Sequence, residues 1–209
     1  MINTKNKNDL KSELKRKTIH LLSSAVPFSY YYFERNMLLI ILFATVVLMI
    51  LIDFFRKKDG IVRDKYNHHL GDILRSHESD GSRILFTGGT YIVISFFLCI
   101  LIFEKNIAIL SMLIIVFSDT AAAITGKFYG RHFIGKKTIE GSFAFFITGL
   151  IIFILVVKNS ADFRIFQGVI ALFMTTLFEL IPLKIDDNIS VPLFFGTVFS
   201  LISKTDFLI

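Results

Sequence analysis

An all-α bundle embedded in a membrane is the fold class this sequence predicts, and three observations predict it. Apolar residues make up 54% of the 209 residues and the mean hydropathy is +0.65, above what an ordinary water-soluble domain carries. Apolar runs close to the length of a bilayer span recur along the chain. The segments between them alternate between long basic stretches and short turns, as in helices threaded back and forth through a bilayer. About seven spans are expected, with the N-terminus in the cytoplasm. Residues 1–18 are set apart as a polar, basic segment from a single membrane-embedded domain over 19–209.

Each element follows from its composition. Lys5, Lys7, Lys11, Lys15, Arg16 and Lys17 outnumber Asp9 and Glu13 in the first segment. Its end, LKSELKRKTIH, predicts an amphipathic helix on the membrane surface with Leu10 and Leu14 towards lipid. No cleavable signal peptide is expected, because this stretch is polar before any apolar run begins. The first span, 19–33, is short and broken by Pro27; 37–55 is a clear span; 84–103 opens on Thr87-Gly88-Gly89-Thr90. A fourth span over 107–125 carries Asp119, a fifth covers 143–157, a sixth over 165–181 carries Glu179, and a short seventh covers 191–202. Pro192 suits the first turn of that last helix. The long loops 56–83, 126–142 and 182–190 share the basic N-terminus's side, and 34–36, 104–106 and 158–164 are turns on the other. The positive-inside rule puts the first set in the cytoplasm. The formal charge of +6 is then an orientation signal, and no nucleic-acid partner is expected. Cys99 is the single cysteine, which excludes internal disulfides and cysteine-based metal sites.

The chemistry concentrates in SDTAAAITGKFYGRHFIGKKTIEGS, residues 118–142. Asp119 near the inner end of a span is costly unless paired or hydrated. It is either a snorkelling carboxylate or a Mg²⁺ ligand or base at the cytoplasmic mouth. If its helix continues, Asp119, Ala123, Gly126 and Gly130 share one face, and the small residues admit a backbone or a ligand. Lys127, Arg131, Lys136 and Lys137 surround the next helix start, where unpaired N–H groups favour phosphate; Thr138 or Ser142 can cap it. Glu140 either pairs with these lysines or binds metal. Asp186, Asp187 and Asn188 offer three oxygen ligands or, equally, a solvated turn and cap. Glu179 strengthens the case for a cation between the fourth, sixth and seventh spans. His20, behind Arg16 and Lys17, sits at the membrane boundary. His68, His69 and His77 match no standard zinc spacing, and Arg75 and Glu78 lie one helical turn apart and can pair.

Several blocks together resemble the CTP-dependent lipid and polyprenol kinases, the family of dolichol kinase, phytol kinase and the CTP-dependent diacylglycerol kinase, distant relatives of phosphatidate cytidylyltransferase. ELKRKTIH resembles the family's opening Glu, Arg-Lys and His. Asp53 and Arg56 resemble a Glu-x-x-Arg, with Asp in place of the usual Glu. LRSHE with TGGTY resembles the next block. DTAAAITGKFYGRHFIGKKTIEGS resembles the CTP-binding segment, and ELIPLKIDDNISVP resembles the Glu, Asp-Asn and Pro tail. The resemblance implies Mg²⁺-dependent transfer of the γ-phosphoryl group of CTP to a membrane lipid alcohol such as diacylglycerol, a polyprenol or phytol, at the cytoplasmic leaflet. On that expectation Lys136, Lys137, Arg131 and Lys127 hold phosphates, with Gly126, Gly130, Thr138 and Gly141 around the nucleotide. Asp119, Asp187 and Asn188 hold the metal, and Asp119, Lys137 and Glu140 are catalytic. A cytidylyltransferase making CDP-diacylglycerol is the rival expectation, although its Pro-Gly-His-Gly-Gly signature does not occur in this sequence. An ion carrier is a further alternative, one that the lack of inverted sequence repeats disfavours.

Overall fold

The structure, a computed structural model, describes residues 4–58, 60, 64–65, 86–158, 165–183 and 185–204, with side chains from residue 12 onward. Its helices are α1 (Thr4–Leu22), α2 (Ala25–Tyr32), α3 (Arg35–Lys58), α4 (Gly88–Ile102), α5 (Lys105–Tyr129), α6 (Ile139–Val157), α7 (Ile165–Leu180) and α8 (Asp187–Lys204). Between α5 and α6 lies a two-stranded antiparallel hairpin, β1 (Phe133–Ile134) and β2 (Lys137–Thr138). The all-α class holds. Three helices, α3, α5 and α6, are long and apolar enough to cross a membrane; α4 and α7 are shorter apolar helices.

Helix α5 is the axis of the bundle. Its run from Ile107 to Val116 is buried without interruption, because α1, α2, α4, α6 and α8 all pack on it. Ser111 and Thr120 hold their hydroxyls within this core by donating to the carbonyls of Ile107 (2.8 Å) and Val116 (2.7 Å), one turn back, which avoids orphaned buried oxygens. Phe145 and Phe153 of α6 and Phe195 and Phe199 of α8 fill the space around it. Helix α3 is the opposite case. It packs chiefly on α4 and leaves Ile40, Phe43, Leu48 and Leu51 exposed. Such a surface is stable only in an apolar solvent or under a partner.

Two close contacts fix helix spacing. A Cβ on Gly168 would fall 2.3 Å from the Phe153 ring, and one on Gly196 would fall 2.3 Å from the Phe103 ring. These rings lie where any larger residue's side chain would begin.

At one end of the bundle, short turns meet. Arg35 donates to the carbonyls of Ile100 (3.1 Å) and Leu101 (2.7 Å), which α4 leaves unpaired at its C-terminus. Lys105 donates to the Tyr31 carbonyl at 3.2 Å and lies 5.3 Å from the centre of the Tyr30 ring. Asp119 lies 14 residues further along α5, about 21 Å at 1.5 Å per residue. The chemically rich segments therefore gather at the other end.

Several helix ends differ from the sequence expectation. The first apolar run breaks at Ser23-Ser24, not at Pro27. Proline sits in the first turn of α2, where its missing N–H has no partner to lose. Helix α1 docks on α5 through its last turns, and Leu14 stays exposed. Helix α8 starts at Asp187, so Pro192 lies inside it, in the second turn. Asp186 explains the early start: its carboxylate accepts from the Asn188 N–H at 3.0 Å, an N-cap bond.

A buried polar cluster ties α3 to α4. Asp53 accepts from the Thr87 N–H (2.8 Å), the Thr87 hydroxyl (3.3 Å) and the Thr90 hydroxyl (2.6 Å). Arg56 lies 3.6 Å from its other oxygen. Thr87 in turn caps α4 by accepting from the Thr90 N–H.

A charged cleft between α1, α5, α6, α7 and α8

The end of the bundle away from the short turns opens into a cleft of about 360 Å³. Its floor is the crossing of α5 and α6, and small residues make it possible. A Cβ on Gly141 would meet the Ala122 carbonyl oxygen and the Thr138 hydroxyl, both at 2.9 Å; one on Gly126 would meet the Thr138 hydroxyl at 2.8 Å. Backbone cannot yield as a side-chain tip can, so Gly141→Ala should lower stability by about 1–3 kcal/mol, read as thermal unfolding in detergent. An unchanged melting temperature would mean that the crossing is looser than drawn. Thr138 caps α6 by accepting from the Gly141 N–H at 3.1 Å. The α6 N-terminus thus opens onto the cleft with Lys136 and Lys137 beside it.

Two ion-paired groups line this space. On one side Asp119 Oδ2 takes the ammonium of Lys17, which also donates to the Asp119 carbonyl at 3.3 Å, and His20 Nδ1 lies 3.3 Å from the same Oδ2. The side chains of Lys17 and His20 are nearly closed off, whereas Asp119 is 26% exposed. Oδ1 of Asp119 has no partner among the described residues. On the other side Lys137 bonds Glu179 Oε1 at 2.7 Å and the Glu179 carbonyl, and Asp187 Oδ2 at 3.0 Å. Burial works against the charge on Lys137, but the two carboxylates outweigh it and raise its pKa. Ser142 donates to Glu179 Oε2 at 3.4 Å. Between the two groups Lys127 and Lys136 add positive charge, and Arg16, paired with Glu13 at 2.6 Å, closes the rim.

Asp119, Lys137, Asp187 and Asn188 therefore share one cleft with Gly126, Lys127, Lys136, Thr138 and Gly141. Lys17, Arg16 and Glu179 join them, and His20 braces Asp119 from behind. Other residues expected here lie elsewhere. Glu140 is about 100° round α6 from Gly141 and accepts from His132 instead, with Nδ1 at 2.8 Å. Gly130 ends α5 under the Thr138 methyl, where a Cβ would fall 2.6 Å from it, and Arg131 is exposed outside the cleft. Asp186 is the α8 cap. Arg75, Glu78 and the histidines at 68, 69 and 77 lie outside the described residues. Among the described residues no three acidic, histidine or cysteine side chains gather as a metal-binding group. Each carboxylate in the cleft already has a cationic partner.

The role of α1 was hidden in the sequence. Lys17 and His20 are one helical turn apart, so they share a face, but nothing local says that the face meets a residue 102 positions later.

Fold and site together define a helical bundle with lysine–carboxylate pairs facing across a cleft at one end. The chain is 31% identical over 190 residues to the uncharacterized protein RP860 of Rickettsia prowazekii (strain Madrid E), across 88% of this chain and 92% of that protein. It belongs to the same family as that protein. No protein-family profile matches the chain, and no solved structure matches it.

Proposed function

We propose that the protein is a multi-pass membrane enzyme that phosphorylates a lipid alcohol at the cytoplasmic leaflet, with CTP as donor. The observation that carries this reading is the pairing of Lys17 with Asp119 and of Lys137 with Glu179 and Asp187 in one cleft, with the α6 N-terminus open beside Lys136 and Lys137. The apolar helices supply the membrane residence, and about seven spans with the cleft inside agree with the basic loops. The motif resemblance supplies CTP.

Phosphoryl transfer needs positioning and charge neutralisation more than covalent chemistry. Lys137, Lys136 and Lys127 would hold the phosphates, with the α6 N–H groups behind them. Asp119 and Asp187, with Asn188 near, would hold Mg²⁺ together with the nucleotide, and the ion would offset charge on the transferred group. Binding is then an exchange: phosphate oxygens replace Glu179 and Asp187 around Lys137. The lipid hydroxyl would approach Asp119 and give up its proton there. Its oxygen bonds the γ-phosphorus as the bond to the bridging oxygen breaks, and CDP leaves. The bilayer holds the acceptor at the depth of the site, which serves the positioning role of a pocket.

The test is a panel of lipid alcohols, with phosphatidate beside them, given to purified protein with CTP labelled at either the α- or the γ-phosphorus. The proposal expects label in lipid from γ-labelled CTP only. Label from the α-position instead would make the protein a cytidylyltransferase acting on phosphatidate. No nucleotide consumption with any acceptor would sink the reading.

A further inference from the structure

Among the described residues lining the cleft, Phe133 is the one aromatic side chain; the others are charged, polar or small. Its ring is 68% exposed. Tyr129, Phe128 and Phe143 are exposed nearby, but they do not line the cleft. An exposed phenyl at the rim of a site rich in lysine and carboxylate is out of place as packing. It is well placed as a face against which something flat can lie.

The surrounding backbone holds that face still. Phe133 pairs with Thr138 and Ile134 with Lys137 across the two-stranded ladder. The turn between them is Gly135-Lys136, with Gly135 at φ 63°, glycine standing first as a type II′ hairpin turn requires. The Ile139 N–H donates to the His132 carbonyl at 3.0 Å, and His132 is bonded to Glu140. The hairpin is thus fastened to the first turn of α6, and Glu140, away from the cleft itself, helps to aim the ring.

We propose that Phe133 is a stacking platform for the base of a nucleotide whose phosphates lie on Lys136 and Lys137. Ladder and turn join the ring to both lysines over a few residues, so one rigid hairpin grips both ends of the nucleotide. Base–aromatic stacking tolerates any base. The platform therefore selects nucleotides over inorganic polyphosphates and does not itself choose cytosine. This inference rests on the phosphate site proposed above.

The protein has no tryptophan, so Phe133→Trp places a single indole on the hairpin. With the full chain in nanodiscs, CTP should quench this fluorescence and inorganic tripolyphosphate should not. In parallel, Phe133→Ala should weaken CTP binding roughly ten-fold, within the range for one stacked base, and leave tripolyphosphate binding unchanged. If the wild type and Phe133→Ala bind CTP and tripolyphosphate alike, the platform is refuted while the phosphate site stands. If the indole emission shifts to the blue in bilayer and ignores CTP, the ring is a membrane anchor and the proposal fails. If the wild type binds neither ligand, the platform and the phosphate site fall together.

Discussion

Asp119→Asn should reduce lipid phosphorylation by roughly 10³-fold, the scale of losing a proton acceptor or a transition-state charge. The substitution keeps shape and removes charge. It also leaves the Lys17 ammonium, whose side chain is 7% exposed, without its carboxylate. A charge-assisted bond of this kind contributes about 1.5–3 kcal/mol, and the loss would appear in thermal unfolding. Stability and chemistry are separated by Lys17→Met combined with Asp119→Asn. The pair removes both charges, so the melting temperature should recover towards wild type while turnover stays lost. Near-normal turnover in either variant would take Asp119 out of the reaction.

Lys137→Met should raise the KM for CTP by about 10- to 100-fold, since each ten-fold step is about 1.4 kcal/mol of lost phosphate binding. Turnover at saturating CTP should fall less. Lys137→Arg keeps the charge but not the compact geometry and should lie between. An unchanged KM in Lys137→Met would remove this residue from the phosphate site. Stability carries a second signature. The folded pKa of Lys137 is raised above 10.5, so its ion pairs contribute fully below pH 10.5 and are lost as pH rises through the folded value. The gap in melting temperature between wild type and Lys137→Met should persist across neutral pH and close in strong alkali.

Much of this architecture was written locally. Apolar runs located α3, α5 and α6, because length and composition alone govern whether a helix can span lipid. Thr138 and Ser142 both stood in the sequence as caps for α6, and Thr138 fills that place because the helix begins at Ile139. What was not legible depends on angle or distance. One residue of rotation separates Glu140, on His132, from Gly141, in the cleft, and an apolar run does not state that phase. Asp187 and Asp186 are neighbours in sequence, yet one faces Lys137 and the other closes a helix end. The clasp of Lys17 and His20 on Asp119 depends on how α1 returns to the bundle, which neither periodicity nor composition encodes. Pro27 misled for a simpler reason: proline interrupts a helix in its middle and starts one at its edge.

The bonds from Asp53 to Thr87 and Thr90 bear on evolution. They pin residue 53 to residue 87 and so tie the end of α3 to the start of α4. Closing a longer loop between fixed ends costs only about 0.6 kcal/mol per doubling of length. With both ends held in this way, a change in the number of residues between 58 and 86 should leave the pairing of α3 with α4 in place. The hairpin from His132 to Thr138, stapled residue by residue to α6, has no such latitude.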